Sequence, residues 1–201
     1  MRNLGVAAVY VKPCYVSLAA GLLEGSASAV GTTVGFPHGG SATAVKVREA
    51  EQAMDDGAAE LDMVCNVGKV LSGQWDYVAK DIGAVLETVH GRGGILKVIF
   101  ENCYLTEQCK EQLCRICGDL RVDFAKTSTG FGASGATRED VKLMRRMLPA
   151  GVKVKAAGGI RTLDDFLSFR EAGAERIGTS STLDIVQEWR KRSGGRESQR
   201  E

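Results

Sequence analysis

One rhythm constrains the fold of this chain more than anything else in it. Short, almost continuous apolar runs alternate with longer stretches of amphipathic helical spacing, and the unit recurs about every 30 residues. The runs are Gly5–Val11, Ala29–Gly35, Glu60–Cys65, Ile95–Glu101, Val122–Thr127, Val152–Ala156 and Glu175–Thr179. Strands without alternation are buried on both faces, the situation of a parallel sheet covered by helices. Between them helices are expected from Pro13 to about Leu23, from an N-cap at Ser41 to Gly57, around Trp75–His90, from Thr106 to Leu120, from Thr137 to Leu148, from Thr162 to Gly173 and over Leu183–Arg192. Thr137-Arg138-Glu139-Asp140 resembles a capping box. No shift in composition marks a boundary, so residues 1–192 read as one domain. The small, charged segment Ser193–Glu201 reads as a disordered tail.

A doubly wound sheet and a (β/α)8 barrel both fit this rhythm. Charged and glycine-rich positions fall at the C-terminal ends of nearly every strand, whereas a doubly wound sheet concentrates them at one crevice. The TIM barrel is therefore the expected fold. Only seven βα units are evident, although a closed barrel of this kind needs eight. The chain begins almost directly in a strand, so a missing unit would be the first.

Charge and length narrow the function classes. A net charge of +1 over 201 residues gives no electrostatic reason to expect nucleic acid or an acidic membrane surface. No run approaches the length of a membrane span, and Met1-Arg2-Asn3-Leu4-Gly5 has no signal-peptide pattern, so a cytoplasmic protein is expected. The six cysteines include a C-x-x-C pair, Cys114 and Cys117, but no second pair or histidine cluster completes a zinc site, and the chain has two histidines, His38 and His90. Ordinary reduced thiols and no bound metal or other cofactor are expected.

The chemistry centres on Asp123-Phe124-Ala125-Lys126-Thr127-Ser128-Thr129-Gly130-Phe131-Gly132. It starts as an apolar strand around one lysine and ends in hydroxyls and glycines. Burial disfavours the ammonium form and makes an amine nucleophilic near neutral pH. Lys155 lies one βα unit further on, so the two lysines occupy adjacent parallel strands near the same end and repel. Asp62, also inside an apolar strand, could face them and move protons. The plainer reading is a core ion network that satisfies only itself. Spacing favours imine chemistry on a carbonyl substrate, since stability gives little reason to put two lysines side by side.

A second cluster comprises Gly158-Gly159-Ile160-Arg161 and Gly178-Thr179-Ser180-Ser181, after the last two strands. Such junctions often hold phosphate on backbone N–H groups and a helix N-terminus. His38 reads as a surface residue and Ser26–Ser28 as a loop. Trp75 and Tyr77 read as packing residues, and Glu101 either supports the lysines or caps a helix.

With these residues assembled, the sequence resembles deoxyribose-phosphate aldolases, class I Schiff-base aldolases of the (β/α)8 fold. The matching stretches are Val34-Gly35-Phe36-Pro37, Glu60-Leu61-Asp62-Met63-Val64, Lys97-Val98-Ile99-Phe100-Glu101, Phe124-Ala125-Lys126-Thr127-Ser128-Thr129-Gly130-Phe131, Val154-Lys155-Ala156-Ala157-Gly158-Gly159-Ile160-Arg161 and Arg176-Ile177-Gly178-Thr179-Ser180-Ser181. The resemblance implies reversible cleavage of 2-deoxy-D-ribose 5-phosphate to D-glyceraldehyde 3-phosphate and acetaldehyde, without metal. It implies that Lys126 forms the Schiff base, Lys155 depresses its pKa and relays protons, and Asp62 donates and accepts them. Thr127, Ser128, Gly130, Gly158, Gly159, Arg161, Gly178, Ser180 and Ser181 would bind the sugar phosphate. It admits a homodimer as the assembly.

Three departures from the family pattern stand out. The family's first strand, with an acidic residue near the second lysine and a threonine near the substrate, has no counterpart here. Tyr10 stands where a small residue such as cysteine is common and is expected to crowd the pocket. Lys153 replaces a small residue on the face of Lys155, and would either snorkel out of the barrel or perturb the lysine pair. The alternative to an active aldolase is thus a truncated homologue that binds sugar phosphates, or a partner protein, without efficient turnover. A transaldolase-like enzyme with another donor is a minor reading, opposed by the two-lysine arrangement.

Overall fold

In the computed structural model, which describes residues 4–197, the seven apolar runs form seven strands. They are β1 (Ala8–Tyr10), β2 (Ala29–Val34), β3 (Glu60–Val64), β4 (Ile95–Ile99), β5 (Phe124–Lys126), β6 (Lys153–Ala157) and β7 (Arg176–Gly178). Each pairs in parallel with the next, in the unbroken order β1 to β7. The sheet is curled, because Lys155 on β6 lies over the ring of Tyr10 on β1, with Nζ 3.9 Å from the centroid. Among the described residues no pairing joins β7 to β1, so this is a seven-unit TIM-barrel-like fold with an opening where its ends approach.

The helices are α1 (Val16–Leu22), α2 (Thr43–Asp55), α3 (Val67–Leu71), α4 (Trp75–His90), α5 (Glu107–Leu120), α6 (Arg138–Met147), α7 (Leu163–Glu171) and α8 (Thr182–Glu197). Their starts follow the local chemistry. Thr106 and Thr162 accept from the amides of Cys109 and Asp165, and Asp165 returns the bond to Thr162, which closes a full capping box. At Thr137 only half a box forms. The hydroxyl accepts from the Asp140 amide, while the Asp140 carboxylate accepts from Lys110 at 2.5 Å.

Several expected boundaries differ. Helix α2 is capped by Ala42 without a side-chain bond, not by Ser41. Its first residue, Thr43, turns its hydroxyl to Asp81 at 2.8 Å instead. Asn66 starts α3, a short helix that the apolar pattern does not reveal. The 3-10 turn Pro13–Tyr15 precedes α1, and Leu148 is extended rather than helical. Helix α8 runs past Arg192 to Glu197, so the expected tail at 193–201 begins inside a helix, and residues 198–201 lie outside the described residues. No described helix is long and apolar enough to cross a membrane.

The helices bury apolar stripes against the outer face of the sheet, with Val78, Ile82, Val85 and Val89 of α4 and Leu113, Cys114, Ile116 and Cys117 of α5 among them. Cys114 and Cys117 thus face the core, and burial pushes the Cys114 thiol up to about 12. All six cysteines are free thiols. One core contact is ionic. Lys46 on α2 is fully buried and donates to Asp81 on α4 at 2.6 Å and to the Val64 carbonyl at 3.0 Å. Gly35, at φ 63°, makes room for it, since a Cβ there would stand 2.9 Å from Lys46 Cε. The pair ties two helices to the C-terminal end of β3. Removing one partner leaves an uncompensated buried charge, so Asp81→Ala is expected to cost about 3–5 kcal/mol in urea unfolding.

Candidate active site

Side-chain alternation decides what enters the barrel. Glu60 and Asp62, two residues apart on β3, point inward, as do Lys97 of β4, Lys126 of β5, Lys155 of β6 and Arg176 of β7. Lys126 lies beside Lys155 in the pairing register, and Lys155 beside Arg176. The side chains meet at Asp62, which is fully buried. Its Oδ2 accepts from Lys126 Nζ at 2.7 Å and from Lys155 Nζ at 2.5 Å, and its Oδ1 accepts from the Tyr10 hydroxyl at 2.6 Å. Lys97 stands 3.7 Å from Oδ1 and donates to Tyr10 Oη at 2.8 Å and to Glu60 Oε2 at 2.6 Å. Arg176 closes the chain on Glu60 at 3.1 Å.

Four cations therefore face two carboxylates, and all of these groups except Arg176 are buried. Burial alone would raise the pKa of Asp62, but Lys126, Lys155 and Lys97 outweigh it and hold the carboxyl well below the usual range. Glu60 is likewise lowered, with burial outweighed by Lys97 and Arg176. The excess of positive charge shows in Lys155. Burial first, then repulsion from Lys126 and Lys97, lowers its pKa from an ordinary 10.5 to about 7 against the pull of Asp62. The site thus holds an amine that exchanges its proton near neutrality.

Lys126 and Lys155 face a cleft of about 1350 Å³ that opens between β1 and β7, with Tyr10 on its wall. The glycine-rich junctions reach the same space. Gly130, Gly158, Gly159, Arg161, Gly178 and Ser180 line it, whereas Thr127, Ser128 and Ser181 do not. Thr127 is fully buried and spends its hydroxyl on Ala157, donating to its carbonyl and accepting from its amide, both at 3.1 Å. Ser128 is buried beside Gly158, and Ser181 donates its amide to the Thr179 hydroxyl at 2.9 Å. Gly158 is required by contact, since a Cβ there would stand 2.8 Å from the Gly135 backbone, and φ is 92°. Phe36 and Phe131 meet edge to face at 5.4 Å on the cleft, and Phe131 is exposed.

Glu101 stands at the N-cap of the 3-10 turn Asn102–Tyr104, but its side chain makes no cap bond there. At φ 57° it turns its buried carboxylate onto Thr129, accepting from the amide at 3.2 Å and from the hydroxyl, and so holds the loop after Lys126. Lys153 is exposed and lies over Phe124, 5.6 Å from the ring centroid. Trp75 packs on the core, and His38 is exposed. Glu60, Lys97 and Arg176 were not among the expected site residues. The rule that picked Asp62, a charge inside an apolar strand, also applies to Lys97 in Ile-Leu-Lys-Val-Ile, and Glu60 shares the face of Asp62.

Strand order, paired lysines and a shared buried carboxylate define a (β/α)-barrel enzyme with an amine-centred site. The chain belongs to the DeoC/LacD family of aldolases, whose profile matches residues 3–188, and it is a carbon–carbon lyase. It is 51% identical over 189 residues to the deoxyribose-phosphate aldolase of Rhodopirellula baltica, covering 94% of this chain and 78% of that one. The deoxyribose-phosphate aldolase of Thermococcus kodakarensis is 50% identical over 185 residues, covering 91% and 83%. Among solved structures, the aldolase QR15 matches with TM-score 0.90 at 41% identity over 96% of this chain and 85% of its own. The tetrameric deoxyribose phosphate aldolase from Aeropyrum pernix matches with TM-score 0.82 at 30% identity, over 90% and 76%.

The electrostatics give a signed expectation. Because the folded value of Lys155 lies below its unfolded value, the unfolded chain binds the extra proton between about pH 7 and 10.5. The stability of the wild type relative to Lys155→Met therefore rises across that window, as denaturation at several pH values would show. Asp62→Asn removes the group that favours the ammonium, so the Lys155 midpoint, read by lysine side-chain NMR, is expected to fall below about 7.

Proposed function

We propose that the chain is a deoxyribose-phosphate aldolase that cleaves 2-deoxy-D-ribose 5-phosphate reversibly to D-glyceraldehyde 3-phosphate and acetaldehyde through a Schiff base on Lys126. The observation that carries the reading is the pair of lysines on one buried oxygen of Asp62, with Lys155 poised near neutrality. Such a pair supplies what imine formation needs, a nucleophilic amine and an adjacent group that gives and takes a proton.

In this mechanism Lys126 Nζ, after passing a proton to the Lys155 amine by way of Asp62, adds to the C1 aldehyde of the open-chain sugar. Lys155 and Asp62 move the protons that turn the carbinolamine into an iminium with loss of water. A base then removes the C3 hydroxyl proton and the C2–C3 bond breaks. The iminium takes up the electron pair as an enamine, while C3 becomes the aldehyde of glyceraldehyde 3-phosphate. Protonation of the enamine at C2 and addition of water release acetaldehyde and restore the amine. The phosphate would rest against the Gly158, Gly159, Gly178 and Ser180 side of the cleft, with Arg161 at the rim. Thr127 would act by fixing the strand end through Ala157, while the buried Ser128 hydroxyl has no protein hydrogen-bond partner.

The reading extends to a cytoplasmic, homodimeric enzyme. The relative from Aeropyrum pernix is tetrameric, and light scattering of the purified chain distinguishes one, two and four copies.

Borohydride reduction in the presence of acetaldehyde is expected to leave a stable adduct on Lys126, located by peptide mapping and lost in Lys126→Met. A folded wild type that gives no adduct would instead fit a homologue that binds without turnover. For the phosphate, Ser180→Asp places a carboxylate at the lining. It is expected to raise KM for the phosphorylated sugar by at least about tenfold, and to leave turnover of 2-deoxyribose itself nearly unchanged.

A further inference from the structure

Tyr10 is a residue of the cluster around Asp62 to which the aldolase reading gives no role. It comes from β1, the strand at the opening, and it reaches across the barrel to β3, β4 and β6. The backbone is shaped to admit it. Opposite Tyr10 in the β1–β2 register stands Gly31, where a Cβ would be 2.5 Å from Tyr10 Cζ. Any larger residue at position 31 would expel the ring.

The hydroxyl makes three contacts and has one proton. It donates that proton to Asp62 Oδ1 at 2.6 Å and accepts from Lys97 at 2.8 Å, while Glu60 Oε2 stands further off at 3.2 Å. A carboxylate with one oxygen held in this way offers only Oδ2 to Lys126 and Lys155. The ring adds a second effect. Its face lies 3.9 Å from Lys155 Nζ, where the aromatic quadrupole favours an ammonium over an amine. The charged and titratable groups around it are Glu60 and Asp62 of β3, Lys97 of β4, Lys126 of β5, Lys155 of β6 and Arg176 of β7.

We propose that Tyr10 is a positioning residue of the proton relay, with its hydroxyl orienting Asp62 toward the two lysines and its ring supporting the protonated state of Lys155. This rests on the aldolase reading for its consequence in turnover, but its electrostatic half stands on the resting enzyme alone. In that half, hydroxyl and ring have separable effects. The ring acts on Lys155 directly, and the hydroxyl acts through Asp62.

Three forms separate them: wild type, Tyr10→Phe and Tyr10→Leu. The Lys155 midpoint is read by lysine side-chain NMR without substrate and assigned with Lys155→Met. Tyr10→Phe keeps the ring and is expected to titrate close to wild type. Tyr10→Leu removes the π face and is expected to shift the midpoint down by about one pH unit. In retro-aldol assays Tyr10→Phe is expected to lower kcat about tenfold with KM little changed, the loss of one hydrogen bond to a charged group. Equal Lys155 midpoints in folded Tyr10→Leu and wild type would overturn the ring's role. An unchanged kcat in Tyr10→Phe would overturn the hydroxyl's. If borohydride traps nothing on Lys126 of the wild type, the aldolase reading fails by itself, while the midpoints still decide whether Tyr10 supports Lys155.

Discussion

The lysine cluster at the centre of this molecule is held by one buried carboxylate. A carboxylate inside a protein costs several kcal/mol unless charge and hydrogen bonds replace its water, so Asp62 is tolerable only with its partners in place. It takes two ammonium groups on one oxygen and a phenol on the other. Those partners come from β5, β6 and β1, and Lys97 adds β4. The electrostatic requirement of one residue on β3 thereby converges five of the seven strands on one point, and Arg176 brings in β7 through Glu60. Four cations against two carboxylates leave the cluster short of negative charge. Burial first, and then the nearby charge of Lys126 and Lys97, lets Lys155 release a proton near neutral pH.

The support around this centre is also polar and also buried. Lys46 and Asp81 tie α2 and α4 to Val64 at the end of β3, two residues beyond Asp62. Glu101 accepts a left-handed backbone and turns its carboxylate onto Thr129, which in turn accepts from the Phe131 amide. Thr127 pins the end of β5 to Ala157 of β6 through two bonds of one hydroxyl. These contacts keep Lys126 and Lys155 in register on adjacent strands. Stability and function thus share groups here, since a rigid shell is what allows two like charges to remain side by side.

Much of this was legible beforehand, and the failures have identifiable causes. Caps at Thr106 and Thr162 could be read because a hydroxyl followed three residues later by a free amide is a local event. Ser41 failed as a cap because the start of α2 is decided by Thr43 reaching Asp81, 38 residues away. Thr137 formed half a box because Lys110 claimed the other partner. Asp62, Lys126 and Lys155 stand out in the sequence because charges in apolar strands are costly, and the fold brings the three together. Thr127 and Ser128 belong by sequence to a polar loop next to Lys126, and in the fold both side chains are buried and lie outside the cleft lining.

Taken alone, the sequence determined the alternation of strands and helices, the parallel order, and the two lysines and one carboxylate on inward faces. These rest on periods of 2 and 3.6 residues and on local capping, which a linear chain displays openly. Only the tertiary structure decided that Tyr10 reaches Asp62 and Lys155, that Lys97 and Glu60 share their cluster, and that Glu101 serves a loop rather than the lysines. It also decided that the sheet curls without pairing β7 to β1 among the described residues. The reason is curvature. Tyr10 of β1 and Lys155 of β6 meet in the centre only after successive strands have turned through most of a circle, and no spacing along the chain encodes that turn.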